Sequence, residues 1–253
     1  MEFNKQNIQA QSTTQEHVID QGLRAYMLKV YNYMASGLFI TGIVSLLLFK
    51  FSGGYNIQIS PTGITGTTAL GNLIFNSGFM WVVALSPLAI VFYMSFKVAS
   101  ISASKAQSLF WIFAALMGAS LASIFVIYEG GSIARVFFIT AGTFGAMSIY
   151  GYTTKRDLTK FGSFLFMGLI GIIIASLVNI FLKSPAMYFV ISIIGVLIFV
   201  GLTAYDTQKI KNMYYVSDSG EIAGKKAIMG ALTLYLDFIN LFIMLLRLFG
   251  QRR

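Results

Sequence analysis

Seven times in 253 residues the chain runs for 17 to 23 residues with almost no charge. Crossing about 30 Å of hydrocarbon as a helix takes about 20 apolar residues at about 1.5 Å each, so every run is long enough to span a bilayer or close to it. The runs are Val30 to Phe49, Phe79 to Phe96, Leu109 to Tyr128, Val136 to Tyr152, Phe161 to Leu182, Pro185 to Tyr205 and Ala227 to Phe249. They carry Leu, Ile and Phe in blocks with no polar stripe at helical period, as expected of helices facing lipid or buried on all sides. An all-α, polytopic membrane protein with seven transmembrane helices follows.

The charge count agrees. Only 27 residues, or 11%, are formally charged, against roughly 25% in ordinary soluble proteins. High hydrophobicity excludes a disordered chain. The lack of cysteine excludes a disulfide framework, thiolate-ligated metal and thiol chemistry. Residues 1–25 are polar and Gln/Thr-rich with no apolar leader segment, which predicts a flexible cytoplasmic tail before a single seven-helix domain over 26–253. The stretch between Lys50 and Gly78 is rich in Gly, Thr and Ser and long for a loop, with room for a short interfacial helix near Leu70 to Phe75.

Basic residues gather in cytoplasmic loops. With the N-terminus inside, twelve of the eighteen lie on the inner face: Lys5, Arg24, Lys29, Lys97, Lys105, Lys155, Arg156, Lys160, Lys209, Lys211, Lys225 and Lys226. Lys50, Arg135, Lys183, Arg247, Arg252 and Arg253 fall outside, and the last three make the C-terminus discordant. Seven full spans with a basic outer tail are favoured over a re-entrant last segment. The net charge of +9 is then mainly this asymmetry, with attraction to anionic lipid beside it. No soluble region carries the basic, aromatic-interleaved surface of a nucleic-acid binder.

Much chemistry is absent. The one histidine, His17, sits in the polar tail, so no Ser-His pair or His-ligated metal is available within the spans. The segment Gly220 to Lys226 is one residue short of a phosphate loop and lacks the following Ser/Thr. Small-residue pairs such as Gly118 and Ala122, Ala141 and Gly145, and Gly171 and Ala175 read as ordinary helix packing.

Seven of the nine acidic residues fall in tails or loops; Asp206 and Asp237 do not. An ionisable group in a span costs roughly 2.5–3.5 kcal/mol on the insertion scale, so both should face the bundle interior or a watery cavity. They lie on consecutive antiparallel spans. If the sixth helix continues through Lys211, the difference in depth is only about 6 Å, which tilt absorbs. Two carboxylates in a poorly hydrated site cannot both ionise cheaply, so the pair should share one proton and titrate as a unit. Once the proton leaves, the like charges separate or attract a cation. Carboxylate oxygen suits Ca²⁺, and two carboxylates alone form a weak site that the ion can leave. Asn240 and Lys97 are candidate supporting residues: the first stands at i+3 from Asp237, the second ends span two on the inner side. Arg247, about 15 Å along the axis, should snorkel at the outer interface.

The segments Ala204-Tyr-Asp-Thr-Gln-Lys-Ile-Lys211 and Leu232-Thr-Leu-Tyr-Leu-Asp-Phe-Ile-Asn-Leu-Phe-Ile-Met-Leu-Leu-Arg-Leu-Phe-Gly250 closely resemble the two signature segments of the Bax inhibitor family, in its bacterial branch. The resemblance implies helices wrapped around a central C-terminal helix, a bacterial inner (plasma) membrane location, a role in stress or cell-death-type regulation, and a pH-sensitive Ca²⁺ leak. Its gate would be an aspartate pair sharing a proton, falling on Asp206 and Asp237. Ca²⁺ is then the permeant ion and no cofactor is implied. The sequence departs from the studied leak proteins in having no arginine after span two, where Lys97 is the only basic candidate, and no acid within Phe79 to Phe96.

Two other function classes compete with the leak. Some bacterial members suggest a modulator that binds a membrane protease or another quality-control partner. An intramembrane aspartyl protease fits less well, because Tyr235-Leu236-Asp237 stands where Gly-x-Gly-Asp is needed and the Pro-Ala-Leu loop is missing. The expectation is a protein that is not an enzyme.

Overall fold

The computed structural model of the protein describes residues 21–60 and 63–253. His17 and most of the expected 1–25 tail lie outside the described residues; from Gln21 the chain is already helical. Seven helices are long and apolar enough to cross a membrane: α1 (Gln21–Phe51), α2 (Phe79–Lys97), α3 (Ala103–Ile127), α4 (Gly130–Thr153), α5 (Thr159–Leu182), α6 (Pro185–Asn212) and α7 (Gly220–Phe249).

Several helices start where a hydroxyl caps the first turn. Ser102 accepts from the Lys105 N–H, Ser184 from Met187 with Pro185 following it, and Ser219 from Ile222, each satisfying an N–H that has no intrahelical partner. The Ser219 cap starts α7 seven residues before the apolar run that announces it. Charge-free length could not show this start, because Glu221, Lys225 and Lys226 occupy the added turns. Those turns dock on the α2–α3 connection, where the Ala103 N–H donates to Glu221 Oε1 at 2.6 Å and Lys225 Nζ to the Ala99 carbonyl at 3.2 Å.

Pro87 sits inside α2 and leaves the Val83 carbonyl without its usual helical donor. The Ser86 hydroxyl donates to that carbonyl at 3.0 Å, so the backbone group is satisfied within the span.

α7 is the central helix. It packs on α1, α3, α4 and α6, and 72% of its most apolar stretch is buried, against 11% for α2 and 17% for α5. α2 packs mainly on α3, and α5 on α6. Of the glycines in the small-residue pairs, only Gly118 closes a helix contact: a Cβ there would stand 2.7 Å from the Thr41 carbonyl of α1. Gly145 and Gly171 face open space.

The residues between α1 and α2 form a cap. Strands β1 (Gln58–Ser60) and β2 (Gly63–Thr65) pair antiparallel with Ile59 opposite Ile64, followed by a helical turn, Ala69–Gly71, continuing into a wider turn, Asn72–Asn76. The expected short helix is therefore present, while the hairpin was not foreseen. Ile57, Ile74 and Phe75 bury against Phe49, Ala122 and Val126, sealing the ends of α1 and α3.

The C-terminal residues return to the turn between α3 and α4. The Glu129 N–H donates to the Gln251 carbonyl at 3.0 Å and the Arg253 N–H to the Ile127 carbonyl at 3.0 Å. This end of the bundle is opposite the one where α1 begins, since Gly22 of α1 packs against Tyr214 in the connection that precedes α7; α7 therefore runs the full length of the bundle.

Candidate aspartate gate

Asp206 and Asp237 come together between α6 and α7. α7 starts at Gly220, so Asp237 lies seventeen residues into its helix and not about eleven, as its apolar run alone would place it. The helices meet where a Cβ at Gly230 would stand 2.9 Å from Ile210; counted from there Asp206 lies four residues back along α6 and Asp237 seven along α7, an offset of roughly 4.5 Å.

Both carboxyls are removed from solvent, with residue exposures of 9% and 5%, and their side chains line the same end of one cavity, close enough to act on each other. No N–H or hydroxyl among the described residues donates to the buried Asp237 Oδ2. Two carboxyl groups this close in a site poor in water cannot both ionise cheaply.

The pair lies at one end of a cavity of about 990 Å³ bounded by α2, α5, α6 and α7. Along α5 its lining runs from Gly162 to Ile180, roughly 27 Å of helix, close to the apolar thickness of a bilayer. The α2 wall is apolar, made by Leu88, Val91 and Phe92. Arg247 marks the far end, its guanidinium 4.8 Å from the centre of the Tyr188 ring, as expected of a residue at the opposite interface from the pair.

The two supporting residues are placed differently from expectation. Lys97 is exposed in the last turn of α2 and does not line the cavity. The cation that acts on both carboxylates is Lys209, which follows Asp206 by one turn and so shares its helix face. Its ammonium lies at the cavity mouth, 5.9 Å from the centre of the Tyr205 ring. Asn240 lines the cavity one turn from Asp237, but its amide donates at 2.8 Å to the Leu236 carbonyl and not to the carboxylate. A back-bond to the i−4 carbonyl of its own helix takes that donor.

The other residues of the first signature segment hold α6 in register. Thr207 and Ser148 hydroxyls meet at 3.0 Å, and Ser148 meets the Tyr31 hydroxyl at 2.6 Å, which ties α6 through α4 to α1. Gln208 accepts from the Leu158 N–H at 2.9 Å and donates to the Arg156 carbonyl at 2.8 Å. Lys211 donates to the Tyr152 carbonyl at 2.8 Å. In the second segment, the fully buried Tyr235 packs edge-on against Phe110 and Phe113.

Among the described residues, no cluster of three or more His, Cys, Asp or Glu could hold a metal ion. The acidic residues lining the cavity, among the described residues, are Asp206 and Asp237.

Fold and site together define an integral, multi-pass membrane protein with a protonatable carboxyl pair at one end of a membrane-deep cavity. The chain belongs to the Bax inhibitor family: residues 23–253 match the family profile described as Inhibitor of apoptosis-promoting Bax1. It is 48% identical over 235 residues to the inner membrane protein YbhL of Escherichia coli K12, covering 92% of this chain and 94% of that one. It is also 48% identical over 242 residues to protein RP147 of Rickettsia prowazekii, covering 96% of each. A membrane protein of Streptococcus pyogenes, SpyM3_0260, is 36% identical over 241 residues, or 93% of this chain and 98% of that one.

Proposed function

We propose that the protein is a pH-sensitive Ca²⁺ leak, gated by proton sharing between Asp206 and Asp237, with the end that begins α1 on the cytoplasmic side. The observation that carries this reading is the contact between two buried carboxyls at the end of a cavity nearly as deep as a bilayer. While a proton bridges them, α6 and α7 are joined across the cavity's end. When it leaves, two like charges face each other in a site poor in water, and separation or capture of a cation relieves them. Ca²⁺ accepts hard carboxylate oxygen, and a two-carboxylate site holds it loosely enough for release. The apolar α2 wall offers no second acidic stop, so ion selection rests on the pair.

The test is Ca²⁺ release from liposomes containing the full chain, measured across pH. Asp206→Asn and Asp237→Asn should each flatten the pH dependence, since neither leaves a carboxyl pair to titrate. An unchanged pH profile in both variants would remove the gate assignment. Absence of flux, together with a stoichiometric co-purifying membrane protein, would favour a modulator instead.

A further inference from the structure

The basic residues at the C-terminal end of the bundle run against the usual charge asymmetry, and the structure places some of them at one mouth of the cavity. Arg247 lines that mouth and stacks on Tyr188. Tyr128 is buried at the same end of the bundle, where its backbone is bridged to Arg252. The ion pairs within 4.0 Å among the described residues are Lys225 with Glu221 and Lys226 with Asp218, both at the opposite end, so neither Arg247 nor Arg252 is in direct contact with a carboxylate, although Glu129 lies at this end, its N–H bonded to the Gln251 carbonyl. Arg253 is engaged differently, donating to the carbonyls of Phe125 and Tyr55.

Behind this mouth the cavity is a groove with an open side. Leu88 and Phe92 of α2 and Phe166, Ile173 and Leu177 of α5 line it, yet each remains at least half exposed. In a bilayer that open side faces hydrocarbon, and an acyl chain is the occupant whose chemistry matches the walls. Guanidinium groups bind phosphate through paired, charge-assisted hydrogen bonds, and a tyrosine hydroxyl adds a further donor.

We propose that this mouth and groove bind one anionic phospholipid from the leaflet at the C-terminal end, its headgroup phosphate on Arg247 and one acyl chain lying along α5. Charge complementarity selects the headgroup and the open groove selects the chain. The groove is the same cavity whose other end carries the aspartates, but the assay reads lipid binding rather than flux, so its outcome is distinguishable from that of the leak.

The experiment uses the full chain carrying Leu177→Trp, reconstituted with lipids brominated on their chains, and reads the quenching added by that tryptophan over the same protein without it. Anionic brominated phosphatidylglycerol should quench with several-fold higher apparent affinity than brominated phosphatidylcholine. Arg247→Gln should bring the two lipids to parity, while Arg247→Lys should keep most of the preference, which separates lost charge from lost folding. Equal quenching by both lipids in the unaltered site would overturn the proposal, as would a preference that survives Arg247→Gln. Relief of the quenching by inorganic phosphate as effectively as by unbrominated phosphatidylglycerol would point to a free-anion site and also overturn it.

Discussion

The Tyr235 hydroxyl meets the Thr41 hydroxyl at 2.7 Å in the middle of the bundle, and Thr41 donates in turn to the Ala114 carbonyl at 2.8 Å. One chain of hydrogen bonds thus joins α7, α1 and α3. Tyr235 is two residues before Asp237, about 200° around the helix, so the face that anchors α7 is opposite the face that carries Asp237. Tyr235→Phe keeps the ring packing on Phe110 and Phe113 and removes one buried hydrogen bond, and should cost about 1 kcal/mol. Tyr235→Ala also opens a cavity and should cost about 3–5 kcal/mol. Thermal unfolding in detergent checks the order; equal losses for the two variants would show that the ring contributes nothing.

The glycines differ in what surrounds them. A Cβ at Gly118 would press on the Thr41 carbonyl at 2.7 Å and on Val44 at 2.9 Å, whereas Gly145 and Gly171 have nothing within 4 Å. Gly118→Leu should therefore push α1 from α3 and lower the unfolding midpoint sharply, by roughly the 1–3 kcal/mol typical of overpacking or more. Gly145→Ala and Gly171→Ala should be neutral or slightly stabilising, because alanine restricts the unfolded chain. Parallel melting curves of the three variants decide it.

Apolar run length was enough to find all seven spans, since a bilayer admits few other solutions for such sequence. It placed the start of α7 late, because the criterion was absence of charge and the first turns of α7 leave the apolar layer. The aspartate pair was legible for a related reason: with so few charges, two acids inside spans had no ordinary place. Lys209 was missed as a site residue, though its i+3 spacing from Asp206 was visible, because it also counted among the inner-face lysines. The Asn240 partner could not be read, since a side-chain amide at helical spacing faces both a carboxylate and its own i−4 carbonyl, and only packing decides between them. The hairpin in the loop after α1 has strands of three residues each, too short for a period-2 pattern to stand out.

Gln208 is the clasp between α6 and the connection from α4 to α5. Its amide both accepts from Leu158 and donates to Arg156, so Gln208→Leu leaves two backbone groups of that connection without this partner. The connection carries Lys155 and Arg156, and Lys160 stands in the first turn of α5, all targets for trypsin. Cleavage there should be several-fold faster in Gln208→Leu than in the parent protein, with Gln208→Glu intermediate because it retains the acceptor but loses the donor. Limited proteolysis with fragment masses checks this, and identical cleavage rates would show that the connection is held by other contacts.

Lys209 is the third charge beside the aspartate pair. It acts on both aspartates from the cavity mouth, yet forms no ion pair with either within 4.0 Å among the described residues. An ammonium so placed competes with an arriving divalent cation without occupying its position, since both are attracted to the same negative charge. Lys209→Gln should therefore increase Ca²⁺ release from liposomes several-fold at low Ca²⁺ and leave the rate at saturating Ca²⁺ nearly unchanged. Lys209→Arg, which keeps the charge, should resemble the parent protein. A Lys209→Gln protein that needs as much Ca²⁺ for half-maximal flux as the parent would show that the lysine does not govern entry to the pair.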